Sequence, residues 1–412
     1  MGLLPCHLSC HRDDESQSGS NHLHSESSNS SISSPSSLQS VPSLTPVSQH
    51  DQTPTIHHKC IATLKVNSYV FSLALARKVL YSGSSNGEIR AWSQDFSEQD
   101  NPTDNIVATS NTAVKSLVVL GDKLFSAHQD NKVRIWKIHN HLQQKYKCIA
   151  TLPTLNDRFL RCFSKKNYVQ VRRHRKSIWV HHVDAVSALA ISIDCSLLYS
   201  ASWDRTFKVW RTSDFKCLES VQNAHDDAIN AIVLAKDGFV YTGSADKTFK
   251  VWKKHAGENK HLLLATLEKH KSAVNALALN NDGTVLYSGA CDRSILVWER
   301  ECSAKGGGNR HMVLVGALKG HTKAILCLAV VMDLICSGSA DKTVRIWRRG
   351  TDKSYSCLAV LEGHRRPVKC LTAAVDGNTN TAGASEPGTT YMVCSGSLDY
   401  DIKVWQVWAP LF

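Results

Sequence analysis

Serine, histidine and aspartate recur along this chain at spacings that could form a hydrolase triad, in which a base takes a proton from a hydroxyl nucleophile and a carboxylate holds the base. The sets are His182, Ser200 and Asp204; His225, Thr242 and Asp246; His270, Ser288 and Asp292; His321, Ser337 and Asp341; and His364, Ser395 and Asp399. Six residues after each aspartate stands a tryptophan: Trp210, Trp252, Trp298, Trp347 and Trp405. An active site would be unique in a chain, whereas this set occurs in full five times. Repetition favours a buried network, in which aspartate accepts from histidine, histidine accepts from the hydroxyl, and the indole N–H, a donor only, finds an acceptor. The expectation is bracing without catalysis, so not an enzyme. The other chemistry-bearing cluster, Cys6-His7-x-x-Cys10-His11, has metal-capable side chains but no second half-site. No P-loop, dinucleotide fingerprint or metalloprotease helix is present, so no cofactor and no metal are expected.

The elements that hold these residues are themselves repeated. SGSSNGEIRAW (82–92), SAHQDNKVRIW (126–136), SASWDRTFKVW (200–210), TGSADKTFKVW (242–252), SGACDRSILVW (288–298), SGSADKTVRIW (337–347) and SGSLDYDIKVW (395–405) each read as a strand, a tight turn and a strand. Their tryptophans lie 44, 74, 42, 46, 49 and 58 residues apart, close to one propeller blade per copy. Upstream of five copies runs His-x-x-Ala/Pro-Val/Ile, followed by small apolar strands such as AVSALAI (185–191), which suit a crowded site near an axis. In that order, over 59–412, the motifs resemble the WD-repeat family, although none of the seven tryptophans that end the repeats is followed by Asp. The resemblance implies an all-β, seven-bladed β-propeller with four antiparallel strands per blade around a channel. Blades 1 and 2 depart from the pattern: Val66 and Ser110 stand where histidine is expected, and Asn86 replaces the first turn aspartate. These two blades are expected to be the least well braced. The last blade lacks an outer strand, and KCIATL (59–64), a match to KCIATL (147–152), is expected to supply it.

Residues 1–58 hold 16 serines, one basic residue (Arg12) and no strand-like run, and are expected to be a disordered tail. Ser34-Pro35, Thr45-Pro46 and Thr53-Pro54 in it are candidate proline-directed phosphorylation sites. The start MGLLPCHL lacks the apolar core of a secretory signal, and Cys6 stands where myristoylation prefers Ser or Thr. No stretch is long enough to span a bilayer. Without a signal, the 14 cysteines read as reduced, many of them in strands (Cys195, Cys327, Cys336, Cys370, Cys394). The expected compartments are nucleus and cytoplasm.

Of the formal net charge of +12, the tail contributes −4 (Arg12 against Asp13, Asp14, Glu15, Glu26 and Asp51), leaving +16 for the rest. Much of it sits in an insertion before blade 3, residues 153–181, which explains the 74-residue spacing. Arg158, Arg161, Lys165, Lys166, Arg172, Arg173, Arg175 and Lys176 against Asp157 give it +7. Phe159, Phe163, Tyr168 and Trp179 allow it to pack. NDRFLRC…KKNYVQVRRHRKSIWVHHVDAVSAL resembles the plant Jingubang-type WD-repeat proteins. That resemblance implies a non-catalytic regulatory scaffold, and family topology implies an insertion leaving the face that carries the acidic turns.

Three readings of the basic run stay open: a solvated loop, a docking surface for an acidic protein such as a transcription regulator, or a site for nucleic acid, phosphoinositide or nuclear import. Arg205, Lys247, Arg293 and Lys342 add positive charge beside the turns. Trp203 is either a partner contact at the channel mouth or packing between blades. The favoured function is a monomeric protein-interaction scaffold, with nucleic-acid binding as the alternative. A further alternative is a substrate receptor of a cullin-type ubiquitin ligase, for which Trp298-Glu299-Arg300-Glu301 lacks the final Arg.

Overall fold

The β-rich repeats close into a ring. A computed structural model describes residues 41–45, 56–93, 105–139, 145–163, 168–172, 175–254, 257–258, 260–301, 312–350, 353–376 and 388–410. It contains seven four-stranded antiparallel sheets and one two-stranded hairpin. Blade 3 shows the plan: Val186–Ile191, Leu197–Ser202, Phe207–Arg211 and Cys217–Val221 pair in that order from the axis outward. The inner strand of each blade neighbours that of the next, and Val368–Val375 of blade 7 neighbours Val70–Ala76 of blade 1.

Blade 7 takes its fourth strand from the other end of the sequence. His57–Lys65 pairs with Asp401–Pro410, Lys59 opposite Gln406 and Leu64 opposite Ile402. The apolar cluster at this joint draws Val66, Val70, Leu80 and Trp92 together with Cys394, Ile402 and Val404. A Cβ on Gly396 would come within 2.6 Å of the Val70 and Cys370 side chains, so glycine lets the two blades pack closely at this point.

Each inner strand carries a bulge at the same place. The register skips one residue between Val70 and Ser72, Val114 and Ser116, Val186 and Ala188, Ile229 and Ala231, Val274 and Ala276, Ile325 and Cys327, and Val368 and Cys370. A bulge re-aims the unpaired side chain. The skipped residues are Phe71, Lys115, Ser187, Asn230, Asn275, Leu326 and Lys369, and together they line the channel.

Three expectations need correction. Cys195 does not lie in a strand; it is exposed on the turn between two strands, with φ 61. Cys327, Cys336, Cys370 and Cys394 are buried and unpaired, and burial pushes the thiols of Cys327, Cys336 and Cys394 up to about 12. The Ser-rich tail lies mostly outside the described residues, with its Cys6/Cys10 cluster, but its residues 42–45 are docked on the propeller. Ser43 forms a parallel bridge with Ala317, and Leu44 packs against the core between blades 5 and 6. Third, blade 2 is braced by a histidine from an unexpected position, described below.

Candidate protein-interaction face

Five blades carry the same four-residue bond pattern. In blade 3, His182 Nδ1 lies 3.0 Å from Asp204 Oδ2 and its Nε2 2.8 Å from Ser200 Oγ, which accepts from Trp210 Nε1 at 2.9 Å. The same bonds join His225, Thr242, Asp246 and Trp252; His270, Ser288, Asp292 and Trp298; His321, Ser337, Asp341 and Trp347; and His364, Ser395, Asp399 and Trp405. Each serine or threonine oxygen thus contacts both a ring nitrogen and an indole N–H. Burial alone would raise the carboxyl of Asp204, but His182, Lys208 and Thr206 outweigh it and hold it well below the usual range. Burial pushes the His182 imidazole down. A hydroxyl sealed between an indole and a buried imidazole is poorly placed to attack a substrate, and the arrangement acts as a brace.

Blade 2 reaches a similar end by a different route. His128, two residues after Ser126, places Nε2 2.7 Å from Ser126 Oγ and Nδ1 3.1 Å from Ser110 Oγ, while Trp136 Nε1 donates to Ser126 Oγ at 2.7 Å. Ser110, where histidine was expected, bonds the histidine instead. Its turn aspartate, Asp130, is left to pair with Arg134 at 2.6 Å. Blade 1 keeps only Trp92 donating to Ser82 at 3.0 Å and a Glu88 N–H to Asn86 at 3.2 Å.

The braces fix the turns. In blade 4, Asp246 accepts from the Asp226 and Thr248 amides as well as from His225, locking the residue that follows into the left-handed region. That residue is Arg205, Lys247, Arg293 or Lys342 in blades 3 to 6, with φ 69, 73, 70 and 75. It is Gly87, Asn131 and Tyr400 in blades 1, 2 and 7. A non-glycine side chain there carries a strain of roughly 1 kcal/mol. The exposed cations therefore form an arc over blades 3 to 6, and blade 7 offers Tyr400, 5.2 Å from Tyr69 of blade 1.

At the channel, Trp203 is 38% exposed. Lys115 of blade 2 sits over its ring at 5.2 Å and over Phe71 of blade 1 at 4.4 Å, so the indole packs between blades while presenting an open face. Asn230 and Asn275 each donate to the inner strand of the next blade, at 3.1 and 2.8 Å. The cavity is about 190 Å³. Drug-sized ligands occupy sites of about 300–1,000 Å³, so this mouth suits a side chain rather than a cofactor.

The basic insertion does not simply overhang the turn-bearing face. A helix at Leu155–Cys162, capped by Thr154, lies against the outer strand of blade 3, where Asp157 Oδ2 accepts from the Cys217 amide at 2.9 Å. Val180 is fully buried between blades 2 and 3, and the buried Lys208 donates to the Trp179 carbonyl and Ser220 Oγ. Burial lowers the Lys208 ammonium to about 8. Of the four aromatics expected to pack, only Trp179 joins this core. Phe159 and Phe163 are 66% and 76% exposed with rings 5.1 Å apart, and Tyr168 is also exposed. With Leu155, 79% exposed, the two phenylalanines make an i, i+4, i+8 stripe facing away from the propeller. Arg158 is exposed beside it; Tyr168–Arg172 and Arg175–Ile178 form a hairpin that brings Arg172, Arg175 and Lys176 onto one two-stranded ribbon with Arg161 in the preceding helix. Lys165, Lys166 and Arg173 lie outside the described residues.

The Trp298-Glu299-Arg300 run is used internally. Glu299 pairs with Arg349 and Lys353, and Arg300 with Asp237 and the Tyr241 hydroxyl. Among the described residues no cluster of three or more potential metal ligands occurs, and no helix is long and apolar enough to cross a membrane.

A seven-bladed ring with the histidine, hydroxyl, aspartate and tryptophan network complete in five blades defines a repeat-built propeller. The WD domain, G-beta repeat pattern matches residues 174–211, 215–253, 262–299, 312–348 and 355–406, and the chain belongs to the WD-repeat proteins. The matches cover the five blades with complete networks. The chain is 30% identical over 200 residues to Protein ROOT INITIATION DEFECTIVE 3 of Arabidopsis thaliana, over 46% of this chain and 44% of the relative. It is 29% identical over 116 residues to Probable cytosolic iron-sulfur protein assembly protein 1 of Chaetomium globosum, over 24% and 26% respectively. The chain thus spans less than half the length of the curated relatives it matches.

Proposed function

We propose that this propeller is a non-catalytic regulatory scaffold, acting in nucleus and cytoplasm, that captures an acidic partner protein, such as a transcription regulator, on its basic insertion. The observation that carries the proposal is the Leu155, Phe159 and Phe163 stripe beside the cationic hairpin. A merely solvated loop would turn apolar side chains inward; an exposed apolar stripe rimmed by charge is the composition of a protein-docking patch. The arc of Arg205, Lys247, Arg293 and Lys342, with Trp203 at the channel, extends the same charge preference onto the turn face. Replacing Arg172, Arg173, Arg175 and Lys176 with Ala is expected to leave melting nearly unchanged and to weaken partner recovery, since such charges mainly speed encounter and are screened by salt. Pull-downs at low and moderate salt test this, and unchanged recovery at both refutes it. A second reading is single-stranded nucleic acid, favoured by solvent-facing Phe159, Phe163 and Tyr168 among cations. Salt-dependent oligonucleotide binding lost on Phe159→Ser and Phe163→Ser substitution separates the two.

A further inference from the structure

The groove between blades 5 and 6 carries a second site, independent of the basic insertion. In blades 2 to 7 one outer-strand position faces the third-strand residue just before the tryptophan, ahead of a bulge. It is Ala150, Glu219, Ala265, Gly316, Ala359 and Ala62, opposite Ile135, Val209, Val251, Val297, Ile346 and Val404. Among these six, glycine occurs only in blade 5, and residues 42–45 are docked against it. A Cβ on Gly316 would lie 2.6 Å from Leu44 Cγ and 2.9 Å from the Pro42 carbonyl oxygen. Alanine, standard at this position, would therefore push the segment off.

The docked segment binds as a peptide would. Leu44 N donates to the Ala317 carbonyl at 2.9 Å, Ala317 N donates to the Pro42 carbonyl at 2.9 Å, and Tyr355 N of blade 6 donates to the Leu44 carbonyl at 3.2 Å. Leu44 packs on the cluster holding Tyr287, Leu318 and Trp347. The Thr45 hydroxyl reaches the Lys319 carbonyl at 3.5 Å, and Pro42 and Ser43 face solvent. Main-chain pairing to an exposed edge with one anchoring pocket is strand addition, a recurrent mode of peptide recognition.

We infer that the blade 5–blade 6 groove is a peptide-binding site for a short extended segment with a single leucine anchor, occupied in cis by residues 42–45 of this chain. Tethering gives the cis segment an effective concentration of order millimolar, so a free peptide competes poorly with it. The test uses the full chain and a labelled synthetic peptide of residues 40–47. Leu44→Asp empties the groove without touching the propeller. It is expected to speed hydrogen exchange at the Ala317 and Tyr355 amides and to raise peptide affinity at least about tenfold over wild type. Gly316→Ala installs the residue of four other blades. It is expected to speed the same amides, and in the double variant with Leu44→Asp to abolish peptide binding while melting stays within a few degrees of Leu44→Asp alone. Equal exchange at both amides in all three proteins, or equal peptide binding with and without Gly316→Ala, overturns the inference.

Discussion

Removing one turn carboxylate tests whether the repeated network braces the blades. Asp246→Ala deletes four bonds: from His225 Nδ1 at 2.8 Å, from the Asp226 amide at 3.1 Å, and from the Thr248 amide and hydroxyl at 2.9 and 2.7 Å. Water can replace the carboxylate at the exposed Asp226 amide. It cannot easily do so at His225, whose side chain is fully buried, or at Thr248, which is also buried. Bonds to a charged acceptor contribute about 1.5–3 kcal/mol each, and a stranded buried donor costs about 1–3 kcal/mol. Thr248 Oγ1 stays 3.3 Å from His225 Nδ1 and recovers part of this, so about 3 kcal/mol is expected. For a chain of this size that lowers Tm by roughly 6 °C, at about 2 °C per kcal/mol. Asn86→Ala is the control, because it loses one bond, from the Glu88 amide to an exposed side chain, and should cost under about 0.5 kcal/mol. Thermal melts followed by near-ultraviolet circular dichroism compare the two. If Asn86→Ala melts as low as Asp246→Ala, the network does not carry the blades.

Acidification should destabilise the propeller through His128. Burial and Arg134 push it down to about 4, whereas the unfolded chain takes its proton near 6.5; stability is therefore full above pH 6.5 and falls as pH drops towards 4, by about 2 kcal/mol at pH 5. His128→Asn should flatten the pH 5–7 dependence of urea unfolding, and an unchanged slope would refute the assignment. Deleting residues 1–55 should leave a soluble propeller with an open blade 5–blade 6 groove, whereas deleting 1–66 removes the strand His57–Lys65 and should cause aggregation, as light scattering would show. Lys208→Met should change melting little, since an apolar isostere avoids burying a charge, but should free the Trp179 carbonyl. Limited trypsin digestion should then cut within 158–176 faster than in wild type, and equal rates would show that Lys208 does not anchor the insertion.

The ring was legible because its signals repeat. Strand, turn and tryptophan recur seven times, and each buried polar side chain needs a partner that only a few residue types supply. What repetition did not show was substitution of one position for another. His128 stands where blades 1, 3 and 4 have Ser84, Ser202 and Ser244, close enough to Ser126 and Ser110 to replace a histidine missing 18 residues upstream. The sequence SAHQD carried that signal, but only geometry shows which nitrogen meets which hydroxyl. The insertion was legible only in part for a related reason. Its aromatics satisfied a packing rule by type, and Trp179 does pack, while the helix Leu155–Cys162 buries Asp157 and leaves Leu155, Phe159 and Phe163 outward.

The tail segment marks a different limit. Composition reads 1–58 as unable to build a core, yet docking needs only one leucine and a notch to receive it. The notch was written in the sequence as Gly316, but its meaning depends on aligning outer strands whose registers, in blades 2 to 7, are each broken by a bulge between the residues opposite the third-strand Val or Ile and the tryptophan. Contacts such as Leu44 to Gly316 lie outside any local period, so no window along the chain contains both partners. Repeat proteins expose such sites well, because six sibling blades supply the control for the seventh. The blade that departs from its siblings at a buried position, without losing its strand, is where a partner should be sought.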